Sequence, residues 1–277
     1  MKVSVIIPTY NEEKVIGECL LSLSKQTVKD FEVIVVDDGS TDKTVEVLSQ
    51  VSAIKCQVFQ QDHKGPGVAR NLGAKSAKGD ILAFVDADMT FDPNFLQKLI
   101  KPIEHKTAKG TFSREEYVSN WDNIWARCWN LNEGLPDKRR LPVNYPDHQK
   151  VFRAILKSEF ERVGGFTPGG YTDDYSLSEK LGYEATAADD AIFYHKNPHT
   201  LGEVFSQAKW VGKRKYKFGI LGVIIALFRV SLPVSVILGL YKAVKVNNLQ
   251  FVIFKIVCDF GVFIGLLNYL IFGNAIK

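Results

Sequence analysis

The sequence predicts an α/β fold: a mostly parallel sheet flanked by helices on both faces, followed by a C-terminal apolar helical hairpin. Three observations predict it. Short β-branched runs alternate with helix-period segments through the first 85 residues, those runs are apolar almost without interruption, and two stretches of bilayer length close the chain.

The elements follow in order. Val3 to Ile7 is an apolar run ended by Pro8, and Asn11 then leads into a helical pattern of Val15, Ile16, Cys19, Leu20 and Leu23. Phe31 to Val36 passes through Asp37-Asp38-Gly39-Ser40 into a helix near 41–50. Ile54 to Phe59 leads into a helix over 67–77, and Ile81 to Val85 closes the series. Right-handed crossovers bring all the strand ends to one edge, where ligands of such sheets sit. That edge carries Thr9-Tyr10-Asn11, Asp37-Asp38 and Asp86-Ala87-Asp88.

Residues 102–150 are less regular, with Pro136, Pro142 and Pro146 around the basic triplet Lys138-Arg139-Arg140. Tyr117, Trp121, Trp125 and Trp129 recur every fourth residue and are expected on one helical face, either as core or as a platform for an acceptor or a bilayer interface.

A chain of 277 residues holds one sizeable domain and an appendage, divided here as a catalytic domain over 1–205 and a membrane-associated region over 206–277. The formal charge of +4 is uneven: residues 201–277 carry ten Lys or Arg against two acids, so the front portion is net acidic. No nucleic-acid surface is expected there, since that needs a basic stripe. Cys19, Cys56, Cys128 and Cys258 lack zinc or redox spacing and read as reduced thiols. Met1-Lys2-Val3 runs straight into a strand pattern, so no cleavable secretory signal is expected and the front domain is expected in the cytosol.

The candidate apolar helices cover 218–240 and 251–273, with fifteen Phe, Ile, Leu or Val in each. In the first, these outweigh one central Arg229, which costs about 3 kcal/mol. In the second, Lys255 and Asp259 cost about 5–7 kcal/mol together, but their spacing lets them pair. A spanning hairpin is the expected reading, with a pair of helices lying in the headgroup layer as the alternative. Five Lys or Arg between 209 and 217, against Lys242 and Lys245 in the turn, place the catalytic domain on the cytoplasmic side of the cell membrane.

Asp86 and Asp88, two apart at a strand end, are expected to emerge on the same side and hold one cation. Oxygen ligands select Mg²⁺ or Mn²⁺, which would neutralise charge on a leaving diphosphate. The alternative is a solvated Asp-rich turn. Arg70, just after Gly65-Pro66-Gly67, either forks onto phosphate oxygens or makes a surface salt bridge. Only one of Asp37 and Asp38 faces the crevice if the strand continues; Asp38 is chosen, with Asp37 stabilising the turn before Gly39.

Val3 to Glu12, Val35 to Asp42, Gly67 to Gly73 and Phe84 to Asp88, taken in order, closely resemble the motifs of family-two inverting glycosyltransferases of the GT-A fold. Phe152-Arg153-Ala154-Ile155, Val163-Gly164-Gly165-Phe166 and Thr172-Asp173-Asp174-Tyr175 extend the resemblance to about residue 195. The resemblance implies that Thr9, Tyr10, Glu12 and Asp38 hold the nucleoside of a nucleotide diphosphate sugar, usually a UDP-sugar, with Tyr10 against the base. It also implies that Asp174 is the general base; the family usually has Glu at the position of Asp173, which leaves either acid open for the role. Helix capping by Thr172, with the two acids serving only the backbone dipole, is the alternative. His195 falls where some members supply a third metal ligand, against an equally open structural role.

A base suits a hydroxyl acceptor, whereas polyprenyl phosphate already presents an anionic oxygen. With the apolar tail, the expected acceptor is a lipid-linked saccharide or glycolipid; polyprenyl phosphate is the second choice and a non-catalytic nucleotide-sugar-binding membrane protein the third. Gln207-Ala208-Lys209-Trp210 fails the Gln-X-X-Arg-Trp signature of processive synthases, and no Gly-X-Gly-X-X-Gly follows the first strand as a dinucleotide oxidoreductase would require.

Overall fold

The computed structural model describes residues 1–168, 173–213 and 216–272, and its contacts divide the chain into two compact units. The first comprises Met1–Tyr117 and Leu141–His195, the second Val118–Arg140 and Lys196–Lys277. Helix α8 (Leu201–Gly212) falls in the second unit, which also includes an inserted segment, 118–140.

The first unit opens with β1 (Val3–Thr9), α1 (Ile16–Ser24), β2 (Phe31–Asp37), α2 (Thr44–Gln50), β3 (Cys56–Gln60), α3 (Pro66–Ser76) and β4 (Ile81–Phe84). It continues through β5 (Met89–Phe91), α4 (Phe95–Glu104), β6 (Gly110–Ser113) and β7 (Glu116–Val118), which ends just past the unit boundary. Beyond the inserted helix α5 (Ile124–Asn132) come β8 (His148–Gln149), β9 (Ala154–Leu156), α6 (Lys157–Arg162), α7 (Asp173–Leu181), β10 (Ala185–Ala188) and β11 (Phe193–His195).

Eight strands form one sheet in the order β3-β2-β1-β4-β9-β6-β10-β8, with β9 and β8 running against the rest. Strand alternation sorts its two faces. Val3, Val5 and Ile7 pack with Ile16, Leu20, Leu23 and the α4 residues Leu96 and Leu99, whereas Ile6, Ile34 and Val36 pack with Ala69, Phe84, Phe160 and Phe166. Both faces being covered explains why the strands read as continuous apolar runs. The β1–β2 register sets Thr9 opposite Asp37. A small sheet, β5-β11-β7, sets Met89 opposite His195 and so brings the segment just after β4 beside β11.

The second unit holds α5, α8, α9 (Gly219–Arg229), α10 (Leu232–Lys245) and α11 (Gln250–Phe272). The stretch 218–240, expected as one helix, is two, broken at Val230-Ser231 with Pro233 in the new first turn and a bend of 62°. Helices of 11 and 14 residues reach about 16 and 21 Å, short of a ~30 Å hydrocarbon layer. Helix α11, at 23 residues, is long and apolar enough to cross a membrane, although 44% of its apolar window is buried inside the protein.

Ala208 and Gly212 on α8 meet Gly261 and Gly265 on α11 so closely that a Cβ on Gly265 would lie 2.2 Å from the Lys209 carbonyl oxygen. Small residues four apart on both helices permit that approach. The expected pairing of Lys255 with Asp259 is present at 2.6 Å, and Ser235 Oγ donates to the second carboxylate oxygen at 2.6 Å. Lys255 is buried in this pair rather than reaching outward. The four-residue aromatic series does not share a helix: Tyr117 lies on β7 and Trp121 in a turn, while Trp125 and Trp129 sit on α5 and pack with Phe254 and Cys258. Asn123, whose side chain caps α5, starts the helix only after Trp121.

Candidate active site

The strand ends of the first unit gather three groups of side chains. At the end of β2, Asp38 is buried and its carboxylate organises the loop after β3. Oδ1 accepts from Gln61 Nε2 at 2.6 Å and from the Lys64 amide at 2.9 Å, while Oδ2 accepts from the Gly65 amide at 2.8 Å and lies 2.9 Å from His63 Nδ1. Gly39 makes the turn possible, since its φ is +80° and a Cβ there would lie 2.9 Å from the His63 nitrogen. The loop delivers His63 onto Tyr10, the rings stacked with centroids 4.0 Å apart and 28° between planes. Tyr10 keeps 42% of its surface exposed.

Asp37 behaves differently from its neighbour. Its Oδ2 accepts from the Ser40 amide at 3.3 Å, the turn role expected of it, but no donor reaches its buried Oδ1 among the described residues. Thr9, opposite it, is buried with its hydroxyl turned to the Val36 carbonyl at 3.4 Å. Of the pair, Asp38 is the more fully engaged by the protein, and Asp37 keeps an acceptor oxygen that meets no donor among the described residues.

The second group centres on Asp86. Arg70, on α3, donates to Oδ1 at 2.8 Å, and Arg153, just before β9, donates to Oδ2 at 3.0 Å. Arg70 also lies over the Phe166 ring and Arg153 over that of Phe193. Burial opposes ionisation of Asp86, but the two guanidinia, Arg153 foremost, outweigh it and hold the carboxyl well below the usual carboxylate range. Arg70 thus makes a salt bridge within the protein, with only 7% of its side chain exposed.

The third group is Asp88 with His195. His195 Nε2 lies 3.1 Å from Asp88 Oδ1, and its Nδ1 lies 2.5 Å from Glu116 Oε1. The β5–β11 register produces this meeting across 107 residues. Asp86 and Asp88 thus bond to different partners, Asp86 to the two arginines and Asp88 to His195. Strand β4 ends at Phe84, and the Met89 amide bonds back to the Asp86 carbonyl, so residues 86–88 form a turn in which the two-residue alternation no longer applies.

Among the described residues no group of three or more His, Cys, Asp or Glu side chains is gathered for a metal ion. The Asp88–His195 pair nevertheless fits a hard divalent ion. Adjacent octahedral ligands about 2.1 Å from a cation stand about 3 Å apart, and Glu116 fixes the far imidazole nitrogen as carboxylates do behind metal-bound histidines. The expected third member, Asp86, is committed to the arginines instead. Glu12 feels this acidic edge: burial, then Asp88, Asp86 and Asp42, push its carboxyl up to about 7.

Asp173 and Asp174 open α7, but their side chains lie outside the described residues, as do residues 169–172. Gln61, His63, Glu116 and Arg153 are the site residues that sequence reasoning did not single out. Arg153 stood inside a quoted motif, and His63 just before Gly65-Pro66-Gly67; neither position carries a charge pattern that reveals its partner, which lies 67 residues away for Arg153 and 25 for His63.

Relatives share the sequence and the fold. The family model described as "Glycosyl transferase family 2" matches residues 4–164. A poly(ribitol-phosphate) beta-N-acetylglucosaminyltransferase, TarS, from Staphylococcus aureus is 45% identical over 93 residues, covering 32% of this chain and 16% of that protein. A putative glycosyltransferase, EpsH, from Bacillus subtilis is 32% identical over 107 residues, 38% of this chain and 31% of its own length. The chain thus spans well under half of the curated relatives it matches.

Among solved structures, a mannosyltransferase from Pyrobaculum calidifontis in complex with GDP-Man and Mn²⁺ superposes with a TM-score of 0.58 at 18% identity, covering 98% of this chain and 87% of that one. TarS 1–349 from S. aureus in complex with UDP-GlcNAc gives 0.56 at 22% identity, covering 76% and 66%. These likenesses show a GT-A-like fold. With the family model spanning more than half of its residues, the chain belongs to glycosyl transferase family 2.

Proposed function

We propose that the chain transfers a sugar from a nucleotide diphosphate sugar, a UDP-sugar in the first instance, to a hydroxyl of a membrane-linked acceptor with inversion at the sugar carbon. The single observation that carries the reading is the convergence of Tyr10–His63, Asp37–Asp38, the arginine-held Asp86 and Asp88–His195 at the strand ends of one unit. Complexes of relatives of this fold with UDP-GlcNAc and with GDP-Man and Mn²⁺ support a nucleotide-sugar donor.

In this reading Tyr10, backed by the stacked His63 ring, lies against the base, and Asp37 Oδ1 accepts from it, while Asp38, the acid expected in that place, holds the loop that carries His63. Thr9 and Glu12 complete the nucleoside side of the site. Asp88 and His195 would hold Mg²⁺ or Mn²⁺, which when bound would offset charge on the diphosphate. Arg70 and Arg153 hold Asp86 at the foot of the turn and thereby fix where Asp88 stands. Asp174, with Asp173 as its neighbour, takes the proton of the acceptor hydroxyl as that oxygen bonds to the anomeric carbon and the bond to the diphosphate breaks.

For the second unit, the reading is attachment to the cytoplasmic face of a membrane. Helix α9 exposes Ile220, Leu221, Ile224, Ile225 and Phe228, and α10 exposes Ile237, Leu240, Tyr241 and Val244. Neither helix is long enough to span, and Lys209, Lys213 and Lys217 lie just before them, which supports seating in the headgroup layer of an anionic leaflet. Helix α11, packed on α8 and α10, serves as the core of that unit.

The test is a panel of nucleotide sugars offered with membrane lipid extract and Mn²⁺, following nucleotide release and label transferred to lipid. Transfer from one donor is expected. Absence of both release and donor binding across the panel would overturn the proposal.

A further inference from the structure

The second unit contains a pocket of about 510 Å³ that no part of the donor site uses. Its walls come from the inserted segment and from the turn joining α10 to α11. Trp121 and Arg127 face it from the first, Asn247 and Asn248 from the second, and Asp137 closes one side. This is a polar pocket in an otherwise apolar unit.

Arg127 is its central charge. The side chain forms no ion pair or hydrogen bond among the described residues, and its Nε–H is buried without an acceptor. With its Nε–H closed off from solvent, what Arg127 can offer the pocket is the fork of terminal guanidinium N–H groups, a geometry that matches an anionic oxygen from outside the chain. Among the described residues Asp137 likewise has no cation partner, which makes the pair unsuited to a bare phosphate and suited to a ligand with both an anionic group and hydroxyls. Trp121 adds the flat apolar wall on which sugar rings rest, and the two Asn amides both donate and accept.

The flanks of the turn say what is attached. Val244 and Leu249, on either side of Val246-Asn247-Asn248, are 80% and 77% exposed and continue the apolar face of α10. Lys245, next to Val244 in the chain, is exposed as well. A polar pocket whose rim is apolar and basic matches a headgroup whose tail enters a bilayer.

We infer that this pocket binds a phosphate-bearing saccharide carried on a membrane lipid, with the phosphate on Arg127 and the sugar between Trp121, Asp137 and the Asn247-Asn248 amides. The identity of the occupant as an acceptor rests on the transferase reading above; the pocket's chemistry does not. It would give the enzyme a second, donor-independent grip on its lipid substrate.

The experiment uses the full chain in detergent and measures binding of three probes: a panel of hexose and N-acetylhexosamine 1-phosphates, farnesyl-diphosphate-linked N-acetylglucosamine, and a neutral octyl glucoside of the same concentration range. The expected result is tighter binding of the lipid-linked diphosphate than of the sugar phosphates, with the neutral glycoside weakest. Arg127→Gln should weaken both phosphorylated probes roughly 10-fold or more, Arg127→Lys should retain part of that affinity, and Asp137→Asn should weaken the sugar-bearing probes. If Arg127→Gln fails to fold, the Lys and Asn variants carry the test. Equal binding of free and lipid-linked probes would assign the pocket to soluble sugar phosphates and overturn the lipid source. No binding by the parent chain, or unaltered binding by Arg127→Lys, Arg127→Gln and Asp137→Asn alike, would overturn the site. Nucleotide-sugar binding is measured on the same samples: its presence without probe binding removes the pocket alone, and its absence with probe binding removes the transferase reading alone.

Discussion

Replacing Asp86 by Asn leaves Arg70 and Arg153 facing one another without the anion that joins them. Both guanidinia sit within 3.0 Å of the carboxylate, Arg70 is 7% exposed, Arg153 18% and Asp86 32%. An exposed ion pair contributes about 0–1 kcal/mol and breaking a fully buried one costs about 3–5 kcal/mol. With Asp86 a third exposed and solvent screening part of the charge, Asp86→Asn should cost the first unit about 2–3 kcal/mol. Arg153→Met alone should cost less, because Arg70 still holds the carboxylate. In the double variant one of the two opposed cations is gone, so the losses should fall short of their sum by about 1–2 kcal/mol. Urea unfolding followed by far-UV circular dichroism on the four proteins of the cycle measures that coupling. Additive losses, with coupling under about 0.5 kcal/mol, would show that Asp86 is not the joint between the two arginines and would refute the account of how Asp88 is positioned.

Four further outcomes are expected. Glu12, raised to about 7 from an ordinary 4.5, is protonated in the folded chain where the unfolded chain is already ionised, so its contribution to stability is full below pH 4.5 and is lost as pH rises toward 7; Glu12→Gln should flatten that decline in a pH series of unfolding curves, and an unchanged slope would contradict it. Asp37→Asn should weaken nucleotide binding at least several-fold with little loss of stability, whereas Asp38→Asn should loosen the 61–65 loop and lower stability by about 1–3 kcal/mol; calorimetry and unfolding curves separate the two, and a reversed pattern would exchange their roles. Asp259→Ala strands Lys255 and should cost about 3–5 kcal/mol, while Lys255→Met with Asp259→Leu should restore most of it; equal losses in both would show that the ion pair is not the cause. The intact protein should sediment with membranes yet be released by alkaline carbonate, and resistance to carbonate would favour a spanning segment.

The sheet was legible because β1, β2 and β4 are buried on both faces, so apolar runs alone locate them and their polar ends. Separate acids such as Asp37, Asp38, Asp86 and Asp88 were legible for the same reason. Their partners were not. Period-two reasoning placed Asp86 and Asp88 together, but the strand stops at Phe84 and the turn sends one carboxylate to Arg70 and Arg153 and the other to His195. Which long-range partner a carboxylate finds depends on strand order and register, as with β11 laid beside β5, and local composition does not encode either. The break at Val230-Ser231 was hidden because an apolar run gives length and hydropathy without direction. The buried Lys255–Asp259 pair, by contrast, follows from helical spacing and was readable.

The central claim is that Asp88 and His195 together seat a divalent ion that grips the donor's diphosphate. The most direct measurement is a titration of UDP-sugar into the full chain with and without Mn²⁺, followed by electron paramagnetic resonance of the bound ion in the parent, Asp88→Asn and His195→Gln proteins. The account predicts donor-dependent immobilisation of Mn²⁺ in the parent and its loss in both variants. Equal Mn²⁺ immobilisation in all three proteins, or donor affinity indifferent to the ion, would contradict it.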